Sequence, residues 1–296
     1  MSIVDKVFAG DTLRVGYRFQ RHWDNSMAYA FFCAELGSGL FFVSLLIDNL
    51  AGMIAGLVPM LGKMYFHLAH MGVPLKSWRA VVRPDRSWIS RGLLGLSAFT
   101  GFGALLVLCL MFGAQFGVAA DSGLVMLLKV MSGAFCVVTM SYQGFAMSHS
   151  SAIAIWSSAI MPLSSFLYSL AVGLAVAMLV VSPEQAAGLA ESQAFLMLTL
   201  LIMHLMFVHA GWHGSPGART SIELLLQTLY TKWYLGLTLL GGIAIPGLLV
   251  WVAPLNDVVL MASCALVVAG FMSWRILIFK IGVYEPIMSM NPFHKG

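Results

Sequence analysis

Charge is what this sequence has least of. Of its 296 residues only 9% are Asp, Glu, Lys or Arg, while 60% are hydrophobic and the mean hydropathy is +0.89. A soluble domain carries about 25% charged residues. So little polar surface cannot cover a globule in water, which excludes a soluble enzyme or binding module and predicts an integral membrane protein. Cysteine is scarce as well. Cys33, Cys109, Cys136 and Cys264 all lie in apolar runs and show no CxxC spacing, so an iron–sulfur cluster held by this chain alone is excluded and the four read as packing residues. Internal repeats and low-complexity stretches are missing. Residues 1–26 mix Lys6, Arg14, Arg18 and Arg21 with Asp5, Asp11 and Asp24, without the apolar core of a signal peptide.

What the chain does have is long apolar runs. Eight are long enough to cross a ~30 Å hydrocarbon core at ~1.5 Å per residue, near 27–48, 49–72, 91–115, 122–147, 156–181, 190–212, 233–254 and 257–279. Helix is required, because lipid satisfies no backbone hydrogen bond. The expected fold is an all-α membrane protein, a bundle of eight transmembrane helices spanning 27–280. A cytoplasmic segment, 1–26, precedes it and a cytoplasmic tail, 281–296, follows. Pro162 and Pro246 fall inside spans and predict kinks. Gly37, Gly39, Gly101, Gly103, Gly241 and Gly242 predict close helix approach.

Eight spans put both termini and the 2–3, 4–5 and 6–7 loops on one side. Every Lys and Arg except Lys63 and Lys129 falls on that side, Arg275 and Lys280 included, whereas the opposite side shows only Asp48, Asp121, Glu184, Glu191 and Asp257. This asymmetry places the termini and the basic loops in the cytoplasm.

The densest polar stretch runs from Lys63 to Arg91. Lys63, His67 and His70 stand at offsets of four and seven residues, so they share one helical stripe. A loop with Lys76, Arg79, Arg83, Arg86 and Arg91 follows, holding Trp78 and Trp88. Ionisable groups within a span are expensive and mark function by default. Glu35 lies roughly 12 Å down the first span, with Lys63 as its expected structural or proton-transfer partner. His204 and His209 lie on the sixth span, with His213 at its end. Tyr29, Tyr142, Gln143 and His149 share the same half of the bilayer. Lys129 is nearer the far side, in reach of the interface by snorkelling. All the histidines gather in the cytoplasmic half, where an imidazole pKa of about 6.5 suits proton exchange.

Several of these residues carry a resemblance. The run His70-Met-Gly-Val-Pro74 with Lys76, Trp78 and Arg79 resembles the HxGxP element and basic loop of the dimethyl sulfoxide reductase membrane anchor. Residues Arg83 to Arg91, RPDRSWISR, resemble the RPxxSWISRG element of the NrfD/polysulfide reductase membrane subunits. Ala152 to Trp156 with Pro162, the Ile245-Pro246 pair, and Gly270 with Arg275 and Gly282 are similar to further segments of these proteins. The resemblance implies an integral subunit of the NrfD/PsrC/DmsC superfamily without haem or cluster. Such a subunit exchanges electrons between menaquinone or ubiquinone and an iron–sulfur subunit, which serves a molybdopterin catalytic subunit. It implies that His70 exchanges protons with the quinone and that the basic loop of Lys76, Arg79, Arg83, Arg86 and Arg91 docks the partner. From the placement of the residues themselves, His67, Tyr29, Trp78 and Trp88 are expected to complete the quinone site with His70, and Glu35, Lys63, His204 and His209 to relay protons. Because the 1–2 and 3–4 loops carry no basic residue, the partners are expected on the cytoplasmic face of a bacterial or archaeal inner membrane. Two other classes remain open from the residues alone: a haem-b carrier ligated by His70 with His209 or His213, and a proton or solute transporter built on Glu35, Lys63 and Lys129.

Overall fold

The computed structural model describes residues 17–285. Lys6, Arg14, Lys295 and the outer parts of both expected terminal segments lie outside them. Within the described residues the chain is almost wholly helical. Helices α1 (Asn25–Leu46), α2 (Leu50–His70), α3 (Trp88–Phe112), α4 (Gly123–Ser148), α5 (Ile160–Ala177) and α6 (Pro183–Trp212) follow in order. A twelve-residue helix α7 (Pro216–Gln227) comes next, then a wide π-type segment (Lys232–Ala244) continued by α8 (Ile245–Val252), and finally α9 (Asp257–Lys280).

Side chains at the ends start these helices. Asp24 accepts from the Ser26 and Met27 N–H groups, Asn49 from Gly52, Ser122 from Val125 and Asn256 from Val259. Each satisfies backbone donors that the first turn leaves orphaned. Ser182 and Gln185 form a reciprocal capping box at the head of α6.

Among the described residues seven helical stretches are long and apolar enough to cross a membrane: α1, α3, α4, α5, α6, the π segment with α8, and α9. Helix α2 occupies the second expected span but is not one of the seven; Lys63, His67 and His70 dilute its apolar run. The fifth span also differs. Its helix begins at Ile160 rather than near 156, because the Trp156 indole N–H donates to the Ile278 carbonyl at 2.9 Å and Ile153 bridges Tyr284. Pro162 therefore sits in the first turn of α5, where its missing N–H costs no helical hydrogen bond and forces no mid-span kink. Pro246 likewise falls in the first turn of α8, where the wide coil tightens.

Close approach is real at four of the six expected glycines. A Cβ on Gly37 would lie 2.6 Å from the Gly56 carbonyl oxygen of α2, and one on Gly39 would lie 1.8 Å from the Ser169 carbonyl oxygen of α5. Gly242 packs on Gly270 of α9, and Gly103 on the Phe41 ring. Gly101 meets no neighbour within 4 Å, and Gly241 meets only its own helical segment. The two ends of the described chain meet on one face of the bundle. Strands β1 (Arg18–Phe19) and β2 (Val283–Tyr284) pair antiparallel, and the buried Gln20 side chain donates to the Phe279 carbonyl at 2.9 Å.

Candidate functional site

The α2 stripe forms as the spacing requires, but its neighbours differ from expectation. Lys63 is 2% exposed; its ammonium lies 4.8 Å from the centre of the Phe31 ring and 5.6 Å from that of Tyr142, and makes no hydrogen bond. Glu35, the expected partner, is ion-paired instead with Arg275 of α9. The Arg275 guanidinium also donates to the Ser165 hydroxyl of α5 at 2.9 Å. Arg275 is thus no member of a cytoplasmic collar: both it and Glu35 are fully buried. One carboxylate stands among two interior cations, each on a different helix. Next to it the Gln143 amide donates to the Phe31 carbonyl at 3.4 Å, while its own oxygen stays unpartnered.

One turn outward His67 is half-buried and its Nδ1 has no hydrogen-bond partner. His70 ends the stripe at the rim. Its Nδ1 lies 3.2 Å from the Ser26 hydroxyl and 3.3 Å from the Asp24 carboxylate, which ties the end of α2 to the start of α1. Asp24 is held below its ordinary carboxylate range, first by the Ser26 hydroxyl, then by the Met27 N–H and by the charge of His70, with partial burial opposing.

A second polar cluster lies on α5, α6 and the π segment. The buried His204 takes Tyr168 Oη at 2.7 Å on Nε2 and Tyr234 Oη at 3.2 Å on Nδ1, and meets the Trp274 ring edge-on at 4.5 Å. His209 is not part of it. Five residues advance a helix by about 500°, or roughly 140° around the axis, so His209 points outward and packs on His213. Lys129 is paired with Asp48 of the α1–α2 turn, apart from the Glu35 cluster.

The expected quinone-site aromatics divide. Tyr29 packs on Phe66 at 5.4 Å beside His67, and Trp78 is exposed at the rim. Trp88 stacks on Phe145 of α4 at 4.4 Å with the Arg91 guanidinium 4.7 Å from its ring centre. In the basic loop Lys76, Arg79, Arg83 and Arg86 are exposed. Arg91 is spent on the loop itself, donating to the Pro84 and Asp85 carbonyls at 2.7 and 2.9 Å. All four cysteines are free thiols.

Sequence reading missed Arg275 as an interior charge, along with Ser165, Tyr168 and Tyr234. A signal existed for Arg275: it precedes Lys280 by five residues within one apolar run, which puts it inside the span. Nothing in the sequence marked the three hydroxyls. Comparison with curated proteins returns no match. A comparison with protein families matches residues 18–285 to the NrfD family, described as polysulphide reductase, NrfD. The match takes in every described helix, and this multi-pass membrane protein belongs to the NrfD family.

Proposed function

We propose that the chain is the quinone-reactive membrane anchor of a multi-subunit oxidoreductase. It exchanges electrons between the quinone pool, menaquinone or ubiquinone, and an iron–sulfur subunit that serves a molybdopterin catalytic subunit. The observation that carries this reading is the polar column on α2, which runs from His70 at the rim through His67 to the buried, unpartnered Lys63. Ionisable groups within a span are costly, so such a column marks a functional site by default.

The topology supports it. The described chain begins and ends on one face, where β1 pairs β2, and an odd number of crossings cannot return a chain to its starting face. Helix α2 is then the eighth span beside the seven apolar ones. The exposed Lys76, Arg79, Arg83 and Arg86 lie on the face of the termini, which is cytoplasmic by the positive-inside rule. An iron–sulfur subunit docks there, on the inner membrane of a bacterium or archaeon.

The chemistry follows from the donors. Oxidation of a quinol releases two electrons and two protons; reduction of a quinone takes up the same. The headgroup enters beside His70 and His67, flanked by Tyr29, with Trp78 and Trp88 at the mouth. Two unpartnered nitrogens, His67 Nδ1 and Lys63 Nζ, are the donors that side of the bundle offers to a headgroup oxygen. His70 exchanges one proton with the headgroup and with water, its ring fixed by Asp24 and Ser26. Lys63 exchanges the second proton and passes it to Glu35 of the Glu35–Arg275 pair, and Tyr168–His204–Tyr234 extends the relay inward. His209 stands outside this path.

The test is quinol-dependent reduction of the purified complex with His70→Ala. Loss of a positioned acid–base group costs ~100-fold or more in turnover. Unchanged turnover together with unchanged quinone affinity would remove His70 from the reaction.

A further inference from the structure

Helix α6 ends on two imidazoles that the quinone chemistry does not use. His209 lies on its last turn and His213 caps it; the His213 N–H still donates to the His209 carbonyl at 3.1 Å, so helical spacing persists through the cap. Four residues apart, the two side chains share one face. Both are exposed, and their ring centroids lie 4.7 Å apart at an interplanar angle of 47°.

Two imidazoles on neighbouring positions of one metal ion have a separation set by the coordination. With metal–nitrogen bonds of about 2.0–2.1 Å and a ligand angle between about 90° and 109°, the ring centroids fall roughly 4.5–5.2 Å apart. The observed 4.7 Å lies within that interval. Arg219 of α7, which follows this cap, is already engaged: its guanidinium lies 5.1 Å from the Trp212 ring centre, and its Nε lies 3.3 Å from a Glu223 oxygen. Its charge is therefore offset rather than set against an incoming ion.

We propose that His209 and His213 form a two-imidazole chelate for a borderline divalent transition ion, Zn2+, Cu2+ or Ni2+, with water completing the coordination. The donor set selects this class, since imidazole nitrogen suits these ions while Mg2+ and Ca2+ require oxygen ligands. The site stands on α6, apart from the α2 column, and does not depend on the quinone reading.

The experiment uses the full chain in detergent, purified without a histidine tag and stripped with a chelator. Zn2+ alone is titrated by calorimetry, and Cu2+ alone by electron paramagnetic resonance. Wild-type protein should take up one tight equivalent with two-nitrogen hyperfine structure. His209→Ala and His213→Ala should each weaken it at least 10-fold, while His149→Ala, another exposed imidazole, leaves it unchanged. Equal binding in wild type and both single variants overturns the site. So does loss in only one of them, because a chelate needs both rings.

Discussion

Replacing Glu35 by Gln removes one negative charge from a buried region that holds two positive ones. Glu35, Arg275 and Lys63 are each no more than 2% exposed. In the wild type Arg275 has its counter-charge in contact and Lys63 has none. Glu35→Gln leaves the guanidinium without a counter-charge, with only neutral acceptors, the amide oxygen at position 35 and the Ser165 hydroxyl. Breaking a buried pair on one side costs about 3–5 kcal/mol. Lys63→Met takes the opposite course: it deletes a desolvated cation that makes no hydrogen bond, keeps the volume of the side chain, and leaves the pair intact. Its stability should stay within about 1 kcal/mol of wild type or rise. The double replacement Glu35→Leu/Arg275→Met should recover most of what Glu35→Gln loses. Cys136 and Cys264, free and buried, give the readout, since a thiol-reactive dye reports their exposure as the chain is heated in detergent. A loss of this size lowers Tm by roughly 10 °C. If Glu35→Gln melts with wild type, the carboxylate offsets no buried charge, and if Lys63→Met falls by that margin, it serves Lys63 rather than Arg275; either result refutes the assignment. Activity then separates structure from chemistry, because Lys63→Met should be stable and yet lose quinol turnover.

Other perturbations reach other parts of the argument. Gly39→Ala drives a methyl into the Ser169 carbonyl, whereas a methyl at Gly101 meets nothing within 4 Å; Gly39→Ala should abolish monodisperse protein on size exclusion and Gly101→Ala should leave it unchanged. Arg91→Ala frees the Pro84 and Asp85 carbonyls and should speed proteolysis within residues 82–87, while Arg83→Ala leaves the loop protected and weakens only retention of soluble partners. Asp24→Asn keeps a helix cap but loses the charge facing His70. Because the Asp24 pKa is lowered from 3.8 in the folded protein, its stabilisation is complete above that value and vanishes as pH falls through the depressed one. The Tm difference between wild type and Asp24→Asn should therefore close as the carboxylate is protonated in acid; a gap that persists below that range refutes the role of the charge.

Much of the fold could be read from the sequence because lipid leaves the backbone one solution. The boundaries of α1, α2, α4 and α9 fall within a few residues of the apolar runs, and the caps Asp24, Asn49, Ser122 and Asn256 stand at their starts. The misses have local causes. Residues Ala152 to Trp156 are apolar enough to pass for the start of a helix, yet Trp156 is spent on Ile278 and Ile153 on Tyr284. The π-type winding of Lys232–Ala244 left no trace, since a run whose only polar side chains besides Tyr234 are Lys232 and Thr238 has no periodic stripe to shift.

The candidate site shows what a membrane sequence encodes and what it withholds. Depth is written in it, because distance from a cap fixes how far a residue lies from the interface; Glu35, Lys63, His67 and His204 were all placed by depth. Azimuth is withheld, because both the lipid-facing and the core-facing sides of a span are apolar. Depth alone grouped His204 with His209, which face apart, and coupled Glu35 to Lys63, when the carboxylate's partner comes from 240 residues away. Helix α2 is the exception that explains the rest. Its polar stripe gives it an azimuth readable in the sequence, and the same stripe keeps it from counting as an apolar span. Such a helix can lie within the bundle only if another covers its stripe. Gly37 and Gly56 let α1 come close enough to do so, with Phe31 against the Lys63 ammonium. The two glycines and the buried lysine are therefore one feature. Widening the α1–α2 contact with a side chain at Gly56 should expose Lys63 to lipid and cost the site before it costs the helix.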